Sequence, residues 1–245
     1  MKILGFVMLN YGKDYLQACL QSIQDHCDKI IILYSLNPTH SQPNKSLEYW
    51  EPMKDLKEIA LSFSKVEWVN VYDARSEGEH ISNIWKFTDG YDILLRSDYD
   101  EVWEPNELNN AIERCYNSPY RSHGIDGFIN FWRSFDYVVT DSFRPVRLTH
   151  LRERNIQQEP SIKATIYHFG YAIRKKVMEY KIAIHGHKSE WKAGWLDEWN
   201  NWQSGMRYGK FHPVSNEIWL EIKDFDKSKL PEFMRSHKFY NQEII

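Results

Sequence analysis

Four short apolar runs in the first hundred residues set the strongest limit on the fold. Lys2–Leu9, Lys29–Tyr34, Val66–Tyr72 and Asp92–Arg96 are dense in aliphatic and aromatic side chains. Such runs mark strands buried on both faces, since a half-exposed strand alternates. Between them the period changes. Leu16, Cys19, Leu20 and Ile23 recur at helical spacing within 15–26, and helices are expected again over 53–63 and 80–87. Parallel strands cannot be joined by a tight turn and need a crossover, usually a helix. The alternation therefore predicts an α/β fold whose mostly parallel, twisted sheet carries helices on both faces.

Past residue 100 the texture loosens. A helix with proline in its first turn is expected over Pro105–Tyr116. Strands are expected over 127–132, 137–140 and 162–169, and a basic helix over 171–183. The stretch 142–148 contains Pro145 and reads as a loop or, at best, an edge strand. Pro38, Pro43 and Pro52 mark 37–52 as a loop. From His185 onward Trp, Lys and Glu are frequent and periodicity is poor, so an irregular C-terminal part is expected. No repeat or linker interrupts the chain, which reads as one domain over 1–245.

Composition narrows the function classes. The chain has 245 residues, enough for a substantial core. Ten Trp and fifteen Tyr serve that core or offer flat faces to a sugar or nucleobase. A formal net charge of -3, without runs of like charge, argues against general nucleic-acid binding. Cys19, Cys27 and Cys115 are too few and too scattered for a disulfide framework or a zinc cluster, so a reduced, cytoplasmic setting is expected. The opening apolar run ends at Asn10, Lys13 and Asp14 and reads as a strand rather than a signal peptide. No stretch approaches the roughly 18 apolar residues of a membrane span. No transmembrane segment is expected, and peripheral membrane contact stays open.

The segment with most chemistry is Asp98-Tyr99-Asp100-Glu101, which directly follows the fourth apolar run. Three carboxylates within four positions repel one another unless a cation lies among them. In open α/β sheets, ligands bind at the carboxyl ends of the strands. Asp98 and Asp100 are two apart, so in extended backbone both face one side and can share a hard ion, Mn2+ or Mg2+. A bland alternative is an acidic loop that caps the helix starting near Pro105.

With these residues in view, the segment from Leu94 to Pro105 resembles the Asp-x-Asp segment of GT-A-fold glycosyltransferases. It is most similar to the family 2-like enzymes and the bisecting N-acetylglucosaminyltransferase type, where Asp-x-Asp-Glu-x-x-x-Pro is common. The opening Gly5–Gly12 and the later Tyr167–Ala172, followed by Met178 and Lys181, are similar to family 2-like proteins as well. The resemblance implies a GT-A-like fold with a nucleotide-sugar-binding half over 1–103 and an acceptor-binding half over 104–245. It implies that Asp98 and Asp100 hold the ion that bridges a donor diphosphate, the donor being a UDP- or GDP-sugar. Asn10, Ser35, Asp73, Arg96 and Lys181 become candidate donor contacts. The chain departs from the common family 2 opening, having Asn10-Tyr11-Gly12-Lys13 where a Pro-x-Tyr-Asn-like stretch is more frequent.

Other groups complete the expectation. His168, after a strand, is a third metal ligand or a histidine bonded to backbone. His185 and His187 form a second, weaker pair. Arg174, Lys175 and Lys176 are a solvated helix face or, with Lys181, a counter-charge for diphosphate. Arg144 and Arg147 suit phosphate or structural carboxylates. An inverting transfer needs a base for the acceptor hydroxyl, and Glu101, Asp136 and Glu190 are candidates. The expected function is metal-dependent transfer of a sugar to a glycan or other hydroxyl acceptor. A nucleotidyltransferase acting on a sugar phosphate and a non-catalytic carbohydrate-binding protein are the alternatives. The first normally opens with a Gly-rich basic loop, and here one Gly and one Lys follow the first strand.

Overall fold

The computed structural model describes residues 1–35, 51–72, 74, 76–139, 143–152, 156–184, 191–207, 212–214, 221–242 and 244, the side chains of 156–160 excepted. The four apolar runs form strands. In chain order the first half comprises β1 (Ile3–Leu9), α1 (Leu16–Ile23), β2 (Lys29–Tyr34), α2 (Met53–Leu61), β3 (Val66–Asn70), α3 (Glu77–Ser82) and β4 (Ile93–Asp98). β1 lies between β2 and β4, β3 flanks β2, and all three pairings are parallel. The continuous apolar pattern follows from cover on both faces. Val7, Leu9, Ile30, Ile32 and Ile93 pack in one buried cluster with α1 and α2. Leu4, Phe6, Ile31, Leu33 and Leu94 pack in another with Ile84.

The second half comprises β5 (Glu101–Trp103), α4 (Pro105–Asn117), β6 (Tyr120–Trp132), β7 (Tyr137–Val139), β8 (Val146–His150), β9 (Ile156–Tyr171), α5 (Lys175–Ile184), α6 (Trp195–Asn201) and β10 (Ile222–Asp224). The main sheet runs β10-β7-β6-β8-β4-β1-β2-β3, with β9 joining β6 to β5. The result is an α/β fold with a central sheet parallel through β3, β2, β1 and β4 and mixed beyond it. The expectation of an edge strand over 142–148 is corrected. β8 lies inside the sheet, antiparallel to both β4 and β6. Pro145 stands just before the strand, where its lack of an N–H costs no ladder bond and its carbonyl accepts from Ile125 N at 3.0 Å.

Strand directions place the site. β8 runs against β4 and against β6, so β6 runs with β4, and β9 runs with β6. The carboxyl ends of β1, β2, β3, β4, β6 and β9 thus share one edge. An aromatic cluster lies under the second half. Phe131 stacks on Phe169 with ring centroids 4.5 Å apart, and Phe169 stacks on Tyr15. His237 of the C-terminal segment stacks on the same Tyr15 and bonds the Asp14 carbonyl at 2.8 Å. This segment is built of short 3-10 turns, as its weak periodicity predicts. Among the described residues no helix is long and apolar enough to cross a membrane.

Candidate functional site

At the carboxyl edge the loop after β1 grips the acidic segment. Asn10 Nδ2 donates to the Ser35 carbonyl at 2.9 Å and ties the ends of β1 and β2 together. Gly12 has φ +129°, and a Cβ there would lie 2.1 Å from a ring carbon of Tyr99. Only glycine allows both the backbone angle and this approach. The N–H groups of Gly12 and Lys13 both donate to Glu51 Oε2, at 2.6 and 2.8 Å. Tyr99 therefore docks onto a loop that is itself held by a buried carboxylate.

The two aspartates on either side of Tyr99 meet different partners. Asp98 Oδ2 accepts from Arg147 Nη2 at 2.6 Å, and its Oδ1 accepts from Arg96 Nη2 at 3.4 Å. Arg147, on β8, also holds Glu101. Its Nε lies 2.8 Å from Oε2 and 3.1 Å from Oε1, and its Nη2 donates to Oε1 as well. Glu101 is 0% exposed, and its Oε2 also accepts from the Asp98 N–H at 3.1 Å. Burial pushes the Glu101 carboxyl up, with the Arg147 guanidinium opposing. Burial acts on Asp98 in the same sense, but there Arg147 and Arg96 prevail and hold the carboxyl well below the usual range.

Asp100 lies buried in the turn between β4 and β5. Its Oδ2 is 3.3 Å from Lys181 Nζ, and its Oδ1 is 3.7 Å from His168 Nε2. His168 stands on β9 in register with Glu101. On its other side Nδ1 meets Asn130 Oδ1 at 2.5 Å. With the carboxamide in this orientation Nδ1 donates to its oxygen, and Nε2 is the ring nitrogen on the Asp100 side. Burial lowers the His168 pKa to about 4, against the pull of Asp100, so the imidazole is neutral at pH 7. Lys181, from α5, also donates to the Gly170 carbonyl at 3.1 Å. A Cβ on Gly170 would lie 2.4 Å from His168 Nε2 and 2.7 Å from Lys181 Nζ. Only the absence of a side chain at Gly170 lets the imidazole nitrogen and the ammonium group pack this close to its backbone.

The structure thus gathers Asp98, Asp100, Glu101, His168, Arg96 and Lys181 from the sequence candidates, with Asn10 and Ser35 at neighbouring strand ends. Asp136 lies elsewhere, after β6, exposed and 3.0 Å from Lys227 Nζ. Arg174 pairs with Asp14 at 2.8 Å and Arg144 with Asp126 at 3.6 Å. Asp73, His185, His187 and Glu190 lie outside the described residues. The cations that relieve the acidic cluster include the chain's own Arg147, Arg96 and Lys181. Among the described residues no group of three or more His, Cys, Asp or Glu is poised to hold a metal ion. Asp100 and His168 are a facing pair, with Asp98 turned to Arg147. Sequence reasoning missed Gly12, Glu51, Asn130 and Gly170. Gly170 lay inside the quoted His-Phe-Gly-Tyr stretch, whereas Asn130 carries no local signal.

No family model and no curated protein matches the chain. Among solved structures it is similar to glucosyl-3-phosphoglycerate synthase from Mycobacterium tuberculosis, crystallised with Mn2+, UDP and phosphoglyceric acid. That match has 14% identity over 54% of this chain and 43% of the other, with a TM-score of 0.36. GalNAc-T7 with UDP, GalNAc and Mn2+ matches at 10% identity over 53% and 23% of the two chains, TM-score 0.40. S. aureus TarS 1–349 matches at 10% identity over 75% and 64%, TM-score 0.41. The match spans less than two thirds of the length of each of these proteins. Similarity at this level carries no functional argument; the side chains at the sheet edge do.

Proposed function

We propose that the chain is a GT-A-like glycosyltransferase that moves a sugar from a nucleotide-sugar donor, a UDP- or GDP-sugar, to an acceptor hydroxyl. The observation that carries this reading is the buried Asp100 carboxylate facing the neutral His168 imidazole at 3.7 Å, at the carboxyl ends of the strands. Asp100 and His168 would supply one oxygen and one nitrogen to a divalent ion, a donor set that would favour Mn2+ over Mg2+. Two side chains do not fill a coordination shell, so the donor would have to supply further ligands. When bound, the ion supplies Lewis-acid charge that stabilises the departing diphosphate.

The remaining roles belong to the chain. Lys181 adds a fixed positive charge next to Asp100 for the leaving group. Asn130 bonds His168 Nδ1 and holds the ring with Nε2 towards Asp100. Asn10, Ser35, Asp73 and Arg96 are the proposed donor contacts. Arg147 and Glu101 hold Asp98 and the turn that follows. With both oxygens on Arg147, Glu101 acts in this reading as a positioning residue. For an inverting transfer, Asp136 or Glu190 would be the base that takes the acceptor proton. The three cysteines are buried and form no disulfide among the described residues; the proposed setting is cytoplasmic.

Asp98→Ala, Asp100→Ala and His168→Ala proteins assayed for donor turnover with and without Mn2+ test the proposal. Asp100→Ala and His168→Ala are expected to lose the metal-dependent turnover. Full metal-dependent turnover in both would refute the assignment.

A further inference from the structure

A cavity of about 630 Å3 opens beyond the end of β6, at the same sheet edge. Its volume falls within the range of small-molecule sites. Its chemistry is that of a site for hydroxyl groups. Gln203, Asn241 and Gln242 line it, and each carboxamide both donates and accepts, as a sugar hydroxyl does. Tyr137 and Trp202 meet edge-to-face in its wall at 5.0 Å and supply apolar ring surface of the kind that packs on a pyranose. Lys227 Nζ lies 3.0 Å from Asp136, and the Arg133 guanidinium lies 4.1 Å over the Trp199 ring. The Asp136 carboxylate of the wall is thus already paired with a cation, and the carboxamides and rings carry the recognition.

The backbone joins this wall to the acidic cluster. Trp132 pairs in register with Tyr171, and Arg133 N donates to the Tyr171 carbonyl at 3.1 Å. Trp199 Nε1 donates to the same carbonyl at 3.1 Å. The Tyr171 ring lies 5.3 Å from Lys181 Nζ and 5.8 Å from the His168 ring. One residue therefore touches both places. Arg133 has φ 62°, the only positive value at a non-glycine among the described residues. Strain of this kind persists where the surroundings over-determine the backbone, as at ligand sites.

We infer that this cavity binds a neutral saccharide, the acceptor of the proposed transfer, an inference that rests on the reading above. The test titrates the protein with neutral glucose, galactose and N-acetylglucosamine trisaccharides and with a uronic-acid trisaccharide. Binding is followed by saturation-transfer NMR, with and without UDP and Mn2+. At least one neutral trisaccharide is expected to bind, and Trp202→Ala and the exposed Asn241→Ala are each expected to weaken it at least tenfold. The thermal shift produced by UDP and Mn2+ is expected to persist in both variants and to be lost in Asp100→Ala. Binding of no neutral trisaccharide, binding of the acidic one alone, or binding insensitive to both substitutions overturns the inference while the UDP shift keeps the transferase reading. Saccharide binding without any nucleotide shift supports the cavity as a sugar site and overturns its role as an acceptor site.

Discussion

Arg147 bonds two carboxylates at once, and the stability of the acidic segment depends on it. It is 7% exposed, with Glu101 fully buried against it and Asp98 at 2.6 Å. Removing one member of a buried ion pair leaves an uncompensated charge and costs about 3–5 kcal/mol. Arg147→Met is therefore expected to lower the unfolding free energy, and with it the urea midpoint, by a free energy of that order, and Glu101→Gln in the same protein to recover part of it. An unchanged midpoint in the single variant would mean that the pairing holds nothing. Gly170 is the second test at this scale. Its Cβ would overlap His168 Nε2 and Lys181 Nζ, and overpacking of this kind costs about 1–3 kcal/mol. Gly170→Ala is expected to fold with reduced stability and to lose Mn2+-dependent donor turnover. Wild-type turnover would show that the close packing at Gly170 does not serve the site.

Among elements, the β1–α1 loop matters most for the site, because Tyr99 rests on Gly12. Gly12→Ala would place a Cβ 2.1 Å from the Tyr99 ring at φ +129°. Thermal melts should show a loss of about 1–3 kcal/mol, with weaker nucleotide affinity as Asp98 and Asp100 shift. Stability and affinity equal to wild type would contradict the contact. At this scale the sequence was legible where order is local. β2 spans Lys29–Tyr34 as its apolar run predicts, and α4 begins at Pro105 as its first-turn proline predicts. Two strands were misread for identifiable reasons. β5 was hidden because Glu101, its first residue, looked like part of an acidic loop. β8 was taken for an edge because Pro145 lies next to it in sequence, although it stands outside the ladder. The site was half legible. Asp98, Asp100, His168 and Lys181 stood out as residue types in suggestive contexts. Arg147 was named as suited to structural carboxylates, but not which ones, since it reaches Glu101 across 46 positions, and Asn130, which reaches His168 across 38, was not named. Non-local pairing of this kind leaves no periodicity to read.

The whole molecule carries a pH signature as well as a site. His80 is fully buried on α3, with Nε2 2.9 Å from the Leu33 carbonyl and no partner at Nδ1. Burial lowers its pKa to about 4, against the opposing bond to Leu33. Between about 6.5 and 4 the unfolded chain binds the proton that the folded chain refuses. The stability tied to neutral His80 is thus complete above about pH 6.5 and is lost as pH falls towards 4, at about 1.4 kcal/mol per pH unit. Urea midpoints at pH 7, 6 and 5 should fall less steeply in His80→Gln than in wild type, and parallel slopes would show that His80 is protonated in the fold. The central claim concerns the carboxyl edge as a whole. There Asp100, His168 and Lys181 come together from the β4–β5 turn, β9 and α5. Its most direct test is a thermal-shift series with UDP- and GDP-sugars and with nucleoside triphosphates, each with and without Mn2+, on wild type and Asp100→Ala. A nucleotide-sugar shift that requires Mn2+, is absent with triphosphates and disappears in Asp100→Ala is the predicted result. A shift with triphosphates alone, or a nucleotide-sugar shift that neither needs the metal nor changes in Asp100→Ala, would contradict it.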